Sequence, residues 1–140
     1  MLKAAVIGVG SIGQNHARIY HDLEGVELIW VYDTSHNSMQ RINERYGSQI
    51  VDDLVQALQE NPPDLVSVCV PTSLHFEVAK QTITRNIHTL IEKPIASTCE
   101  QAEELIALAQ THQVHLTVGH IERFNPAIVA LKKRLDNGEI

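Results

Sequence analysis

The sequence predicts an α/β protein built on a doubly wound parallel sheet. Three observations carry this expectation. Apolar runs of strand length alternate with amphipathic segments of helix length along the chain. The runs are almost continuous in Val, Ile, Leu and Ala, as strands covered on both faces must be. The first run ends in a glycine-rich turn that opens a helix.

Taken in order, "KAAVIGVG" reads as the first buried strand, and a helix follows from about Ser11 to His21. "VELIWVYD" is the second strand. The next helix runs from Ser35 to Tyr46, with Gly47 as its C-terminal stop. A short strand near Gln49 to Val51 leads into "DDLVQALQE", where an Asp caps a helix and Pro62-Pro63 lies beyond its end. "DLVSVCV" is the fourth strand, and Ser73 to Arg85 is a helix with Ser73 placed to cap it. "IHTLIE" is the fifth strand. "STCEQAEELIALAQTH" is a helix with a Ser/Thr start and acidic residues in its first turns, where the helix dipole favours them. "VHLTVGH" is the sixth strand, and a last helix spans Asn125 to Leu135.

Composition narrows the partners. The chain has 140 residues, 44% of them hydrophobic and 20% charged, enough for one compact core. A formal net charge of -6 argues against non-specific binding to nucleic acid or an anionic membrane. No apolar stretch reaches the roughly 18 residues of a membrane span. The opening "MLKAAVIGVG" runs straight into the glycine turn and does not read as a signal peptide. Cys69 and Cys99 show no metal-binding spacing, the eight histidines are scattered, and no metal site is expected. A reduced, cytoplasmic setting is the simple reading.

"AVIGVGSIGQNH" holds Gly8-Val9-Gly10-Ser11-Ile12-Gly13, a GxGxxG between a strand and a helix. That context makes the motif a candidate dinucleotide loop. Gly8 permits the tight turn, Gly10 lets a pyrophosphate approach the backbone, and Gly13 lets helix and strand pack closely. The helix N-terminus offers free N–H groups and a positive dipole end. Asp33, 20 residues after Gly13, ends the second strand where a carboxylate accepts from the adenosine ribose hydroxyls. Thr34 and Ser35 stand where an NADP site usually offers an arginine, so NAD is expected over NADP. The bland alternatives are glycines that serve only a turn and an Asp33 that serves only as a cap. A methyltransferase loop would usually carry an acid before its glycines, and Ala5 and Val6 stand there instead.

Ligands of such sheets lie beyond the carboxyl ends of the strands. The fourth strand ends in "VPTSLHFE", which puts Val70, Pro71, Thr72 and His75 on that side. His75 is a candidate for the nicotinamide pocket, with a solvated first-turn histidine as the alternative. The fifth strand ends in "EKP". Lys93 there can hydrogen-bond the cofactor or the oxygen of a substrate alcohol, stabilise a developing alkoxide or relay a proton. Pro94 holds Lys93 extended. The alternative is a surface lysine paired with Glu92.

Together, GxGxxGxxH, the acid after strand two, Thr72 and His75 after strand four, and Glu92-Lys93-Pro94 after strand five resemble the Gfo/Idh/MocA family of nicotinamide-dependent sugar oxidoreductases. "VGHIERFNPAIVALKKRLDNGEI" is similar to that family's passage from its Rossmann domain into a second domain. Its "GHxERFNP" form is especially similar to UDP-N-acetylhexosamine 3-dehydrogenase-like members. The resemblance implies that Gly8, Gly10, Ser11, Ile12 and Gly13 hold the diphosphate and Asp33 the ribose. It places Val70, Pro71, Thr72, His75, Glu92 and Lys93 toward the nicotinamide, with Lys93 catalytic. It places His120, Arg123 and Asn125 near substrate at the domain junction, and makes His16 mainly structural. "VPT" departs from the family's usual "TP" followed by Asn. The implied organisation is a Rossmann domain over 1–120 and a junction helix over 121–140, with the family's α+β second domain absent. The implied partners are a sugar or nucleotide-sugar substrate and other copies of the chain. A non-catalytic NAD-binding module is the rival expectation.

Overall fold

A computed structural model describes every residue from Met1 to Ile140. Six strands form one parallel sheet: β1 (Leu2–Ile7), β2 (Val26–Tyr32), β3 (Gln49–Ile50), β4 (Leu65–Val68), β5 (His88–Ile91) and β6 (Leu116–Val118). Their spatial order is β3-β2-β1-β4-β5-β6, so the chain winds outward from β1 in both directions. That is the Rossmann order, with its switch point between β1 and β4. No helix is long and apolar enough to cross a membrane.

The helices α1 (Gly13–Asp22) and α2 (His36–Tyr46) cover one face. Ala17, Tyr20, Met39 and Ile42 from these helices pack there on Ala4, Val6, Leu28 and Val31. The other face carries α3 (Leu54–Glu60), α4 (Thr72–Ile83) and α5 (Cys99–Thr111). Leu58, Ala79, Ile83, Leu105 and Ala109 pack there on Ala5, Ile7, Val66, Val68 and Ile91. Successive residues of β1 thus serve opposite cores, which is why its run is apolar without alternation.

Most element ends follow local chemistry. Ser35, Asp53 and Thr98 cap α2, α3 and α5, each accepting from an N–H three residues on. Gly47 closes α2 at φ 73°. Two starts differ from expectation. α1 begins at Gly13 rather than Ser11, because residues 8–12 are spent on the turn. α4 begins at Thr72, after Pro71 and with no side-chain cap, so Ser73 is inside the helix. Beyond β6 lie a 3₁₀ turn (Ile121–Phe124) that the sequence did not suggest and α6 (Pro126–Asp136). Every residue from His120 to Ile140 is exposed.

Candidate functional site

The three glycines of the first turn answer three different steric demands. Gly8 has φ +88°, a conformation that L side chains rarely adopt, and a Cβ there would sit 2.7 Å from the Cys69 carbonyl. The turn is therefore pressed against the end of β4. A Cβ on Gly13 would collide with the Gly8 carbonyl oxygen, so α1 is seated directly on the turn. A Cβ on Gly10 would meet nothing within 4 Å. Gly10 is thus free of the packing that demands the other two, and its backbone lies open at the mouth. Ser11 and Ile12 follow it, both exposed.

Asp33 ties this turn to the next one. Its Oδ2 accepts from the Val9 amide at 2.7 Å, and its Oδ1 accepts from the Ser35 amide at 2.8 Å. Each carboxylate oxygen has a second lone pair, so the group retains capacity for hydroxyl donors. Asp33 does more than cap, because it also fixes the glycine turn.

Between these parts and β4 lies a cleft of about 980 Å³, at the upper end of the usual size for a small-molecule site. Gly8, Gly10, Ser11, Ile12, Asp33, Val70 and Pro71 line it. So do Leu54 and Val55 of α3 and Leu74 and Val78 of α4, which the sequence did not single out. Val55 and Leu74 are large apolar residues left 45% and 47% exposed in the first turns of their helices. They supply apolar walls suited to a planar ring. Asp52, Asp53 and Glu77 join Asp33 around the same space, a charge set hostile to an added phosphate.

Thr72, His75, Glu92 and Lys93, also expected at the nicotinamide end, fall outside that lining. Lys93 is exposed and its ammonium forms no ion pair, so the surface pairing with Glu92 is not made. Glu92 instead meets His16, with Nε2 to Oε1 at 3.0 Å and both side chains about 15% exposed. The Lys93 amide donates to the other Glu92 oxygen at 3.3 Å, and the Lys93–Pro94 peptide is cis. His75 is neither solvated nor open to the cleft. It is 1% exposed, with Nδ1 2.7 Å from the Pro94 carbonyl and Nε2 2.9 Å from that of Val70. Here it braces the loops after β4 and β5 against each other. Thr72 is half-buried at the start of α4, with its carbonyl 3.5 Å from the Ser97 hydroxyl.

Two further observations bound the chemistry. Burial first, and the charge of Glu92 second, push the Cys69 thiol up to about 12, so it is no nucleophile. His120, Arg123 and Asn125 are all exposed and are not brought to the cleft. Asn125 caps α6 by accepting from the Ala127 amide at 3.0 Å, and it donates to Glu122 at 2.8 Å.

Comparison with known proteins shows the family and the fold. The model of an oxidoreductase family with an NAD-binding Rossmann fold matches residues 2–120. UDP-N-acetylglucosamine 3-dehydrogenase of Acidithiobacillus ferrooxidans is 34% identical over 132 residues, covering 94% of this chain and 41% of that protein. D-glucoside 3-dehydrogenase of Escherichia coli is 34% identical over 139 residues, covering 98% of this chain and 40% of that protein. The crystal structure of myo-inositol 2-dehydrogenase from Lactobacillus plantarum superposes with a TM-score of 0.91 at 23% identity, over 99% of this chain and 42% of that one, and shares the fold. The chain spans about two fifths of the length of the curated relatives it matches.

Proposed function

The chain belongs to the oxidoreductase family with an NAD-binding Rossmann fold, and on that premise we propose that it is the cofactor-binding part of an NAD-dependent dehydrogenase acting on a hydroxyl-bearing carbon of a sugar or nucleotide sugar. One observation supports this above the others. Gly8 and Gly13 are glycines because protein atoms leave no room, whereas Gly10 borders open space and would need to be glycine only for a ligand. The turn therefore fits a diphosphate, held by Gly8 to Gly13 with Ser11 and Ile12 at the mouth. Asp33 takes the adenosine ribose, and its acidic neighbours favour NAD over NADP. Val70, Pro71 and Thr72 border the nicotinamide half, with Glu92 and Lys93 at its far end. His75 contributes there by bracing two loops rather than by contact.

The bound coenzyme supplies the hydride acceptor. Lys93 donates a hydrogen bond to the substrate oxygen and stabilises the negative charge that develops there as the hydroxyl proton passes to solvent. Its exposed, unpaired ammonium leaves it free for that role. Residues 1–120 act as the cofactor domain, and 121–140 as a junction that brings His120, Arg123 and Asn125 toward substrate. The two relatives named for oxidation at a sugar 3-position suggest the substrate class. Self-association of this protein belongs to the same proposal.

Calorimetric titration of the chain with NADH and NADPH tests the cofactor part. NADH is expected to bind, and NADPH at least about tenfold more weakly. No binding of either coenzyme sinks the proposal. Turnover of UDP-N-acetylglucosamine or a glucoside with NAD, lost in Lys93→Met with NADH binding retained, identifies the enzyme. Binding without turnover in a protein that includes the remaining length of its relatives identifies a non-catalytic module.

A further inference from the structure

A line of hydrogen bonds runs from α1 over β4 to the lysine loop after β5. The Tyr20 hydroxyl of α1 lies 2.7 Å from the Ser67 hydroxyl of β4. Ser67 lies 2.9 Å from Nδ1 of His16, and Nε2 of His16 lies 3.0 Å from Glu92 Oε1. Glu92 Oε2 accepts from the Lys93 amide. Ser67 is fully buried and Tyr20 nearly so, and no other side-chain partner is present for either hydroxyl.

The polarity of this line is fixed by what each atom can donate. A carboxylate only accepts, so Nε2 of His16 must carry a proton. If Nδ1 is bare, it accepts from Ser67, and Ser67 accepts from Tyr20. Every buried hydroxyl proton then has an acceptor. A proton on Nδ1 as well would leave one hydroxyl proton, of Ser67 or Tyr20, with no partner in a buried place. Burial holds the Tyr20 phenol above its ordinary range, which keeps it a donor.

The two ends of His16 serve different masters. Its helix begins at Gly13, seated on the diphosphate turn, and His16 is one turn further along. Its ring reaches Glu92, whose carboxylate is confined on its other side: a Cβ on Gly119, after β6, would lie 2.8 Å from Oε1. We infer that His16, in its Nε2–H form, is a positioning residue that locks the Glu92 carboxylate and through it the backbone of Lys93, so that the diphosphate turn and the catalytic loop are held in one register. This rests on the proposed coenzyme site, and it assigns a task to a histidine that the family resemblance made mainly structural.

Two substitutions separate the ends of the ring. In His16→Gln the side-chain amide takes the place of Nε2 and keeps the donor to Glu92. In His16→Asn it takes the place of Nδ1 and keeps only Ser67. With NADH as the probe, His16→Gln is expected to stay within about threefold of wild type and His16→Asn to lose at least about tenfold, at similar thermal stability. Equal losses in the two variants would overturn the inference. Long-range 1H–15N correlation on the unliganded wild-type chain gives a second readout. A protonated Nε2 with a bare Nδ1 is expected, and the opposite tautomer or a doubly protonated ring would overturn it. If wild type binds no NADH, the coenzyme proposal fails, while the ring spectrum still decides the state of His16.

Discussion

The Val9 amide donates to Asp33 Oδ2 at 2.7 Å, so the second strand's terminal acid holds the first strand's glycine turn in shape. One carboxylate thereby shapes the proposed diphosphate site and borders the proposed ribose site. Removing it should damage both. Asp33→Ala is expected to weaken NADH binding by at least about tenfold, since hydrogen bonds to a charged group are worth about 1.5–3 kcal/mol. Its preference against NADPH should shrink as well. Parallel fluorescence titrations with the two coenzymes measure this, and unchanged affinity for NADH would contradict the assignment.

Gly10 and Gly13 should respond oppositely to the same added methyl. Gly13→Ala forces a carbon onto the Gly8 carbonyl and is expected to cost more than about 2 kcal/mol or prevent folding. Gly10→Ala adds its methyl to open space and should leave the melting temperature nearly unchanged, yet abolish NADH binding. Thermal denaturation and coenzyme titration of both variants distinguish a turn built for a ligand from one built only for packing.

The two cysteines should differ sharply toward alkylating agents. Cys99 is exposed and should label with iodoacetamide at pH 8, whereas Cys69, held at about 12, should not until the protein unfolds. Because the Cys69 value is raised from 9.0, the unfolded chain loses this proton first as pH rises. Stability from Cys69 is therefore complete below pH 9.0 and declines as pH climbs toward 12. Denaturant midpoints taken up this range should fall, and Cys69→Ala should flatten the fall.

Thr98 caps α5 by accepting from the Gln101 amide at 3.3 Å, and the Gln101 side chain accepts in return from the Ser97 amide at 3.1 Å. Thr98→Ala is expected to cost about 1 kcal/mol in urea unfolding. NADH affinity should be unaffected, because the cap lies outside the cleft lining.

What the sequence made legible was local. Strand runs, the Ser35, Asp53 and Thr98 caps and the Gly47 stop each depend on a few adjacent residues, and the GxGxxG with Asp33 depends on one strand-turn-helix unit. The parts that stayed hidden join residues far apart in the chain. Nothing in the neighbourhood of His16 indicates that Glu92, 76 positions later, completes its hydrogen bonding. Nothing beside His75 in the chain indicates that the Pro94 carbonyl, 19 positions later, meets its ring. The start of α4 was misplaced by one residue because a serine two positions after a proline looks like a cap, while the backbone was already helical at Thr72. The walls contributed by Leu54, Val55, Leu74 and Val78 come from two helices on separate crossovers, so no single motif encloses them.

Trp30 is the protein's one tryptophan, wholly shielded in the second strand, with its indole N–H donating to the Asn61 carbonyl at 2.9 Å. Trp30 lies three residues before Asp33, the acid proposed to take the ribose. The molecule thus carries a single dry indole whose emission overlaps the absorption of reduced nicotinamide. Quenching of that one light source, free of interference from any other indole, lets an optical measurement gauge how near the dihydropyridine ring settles.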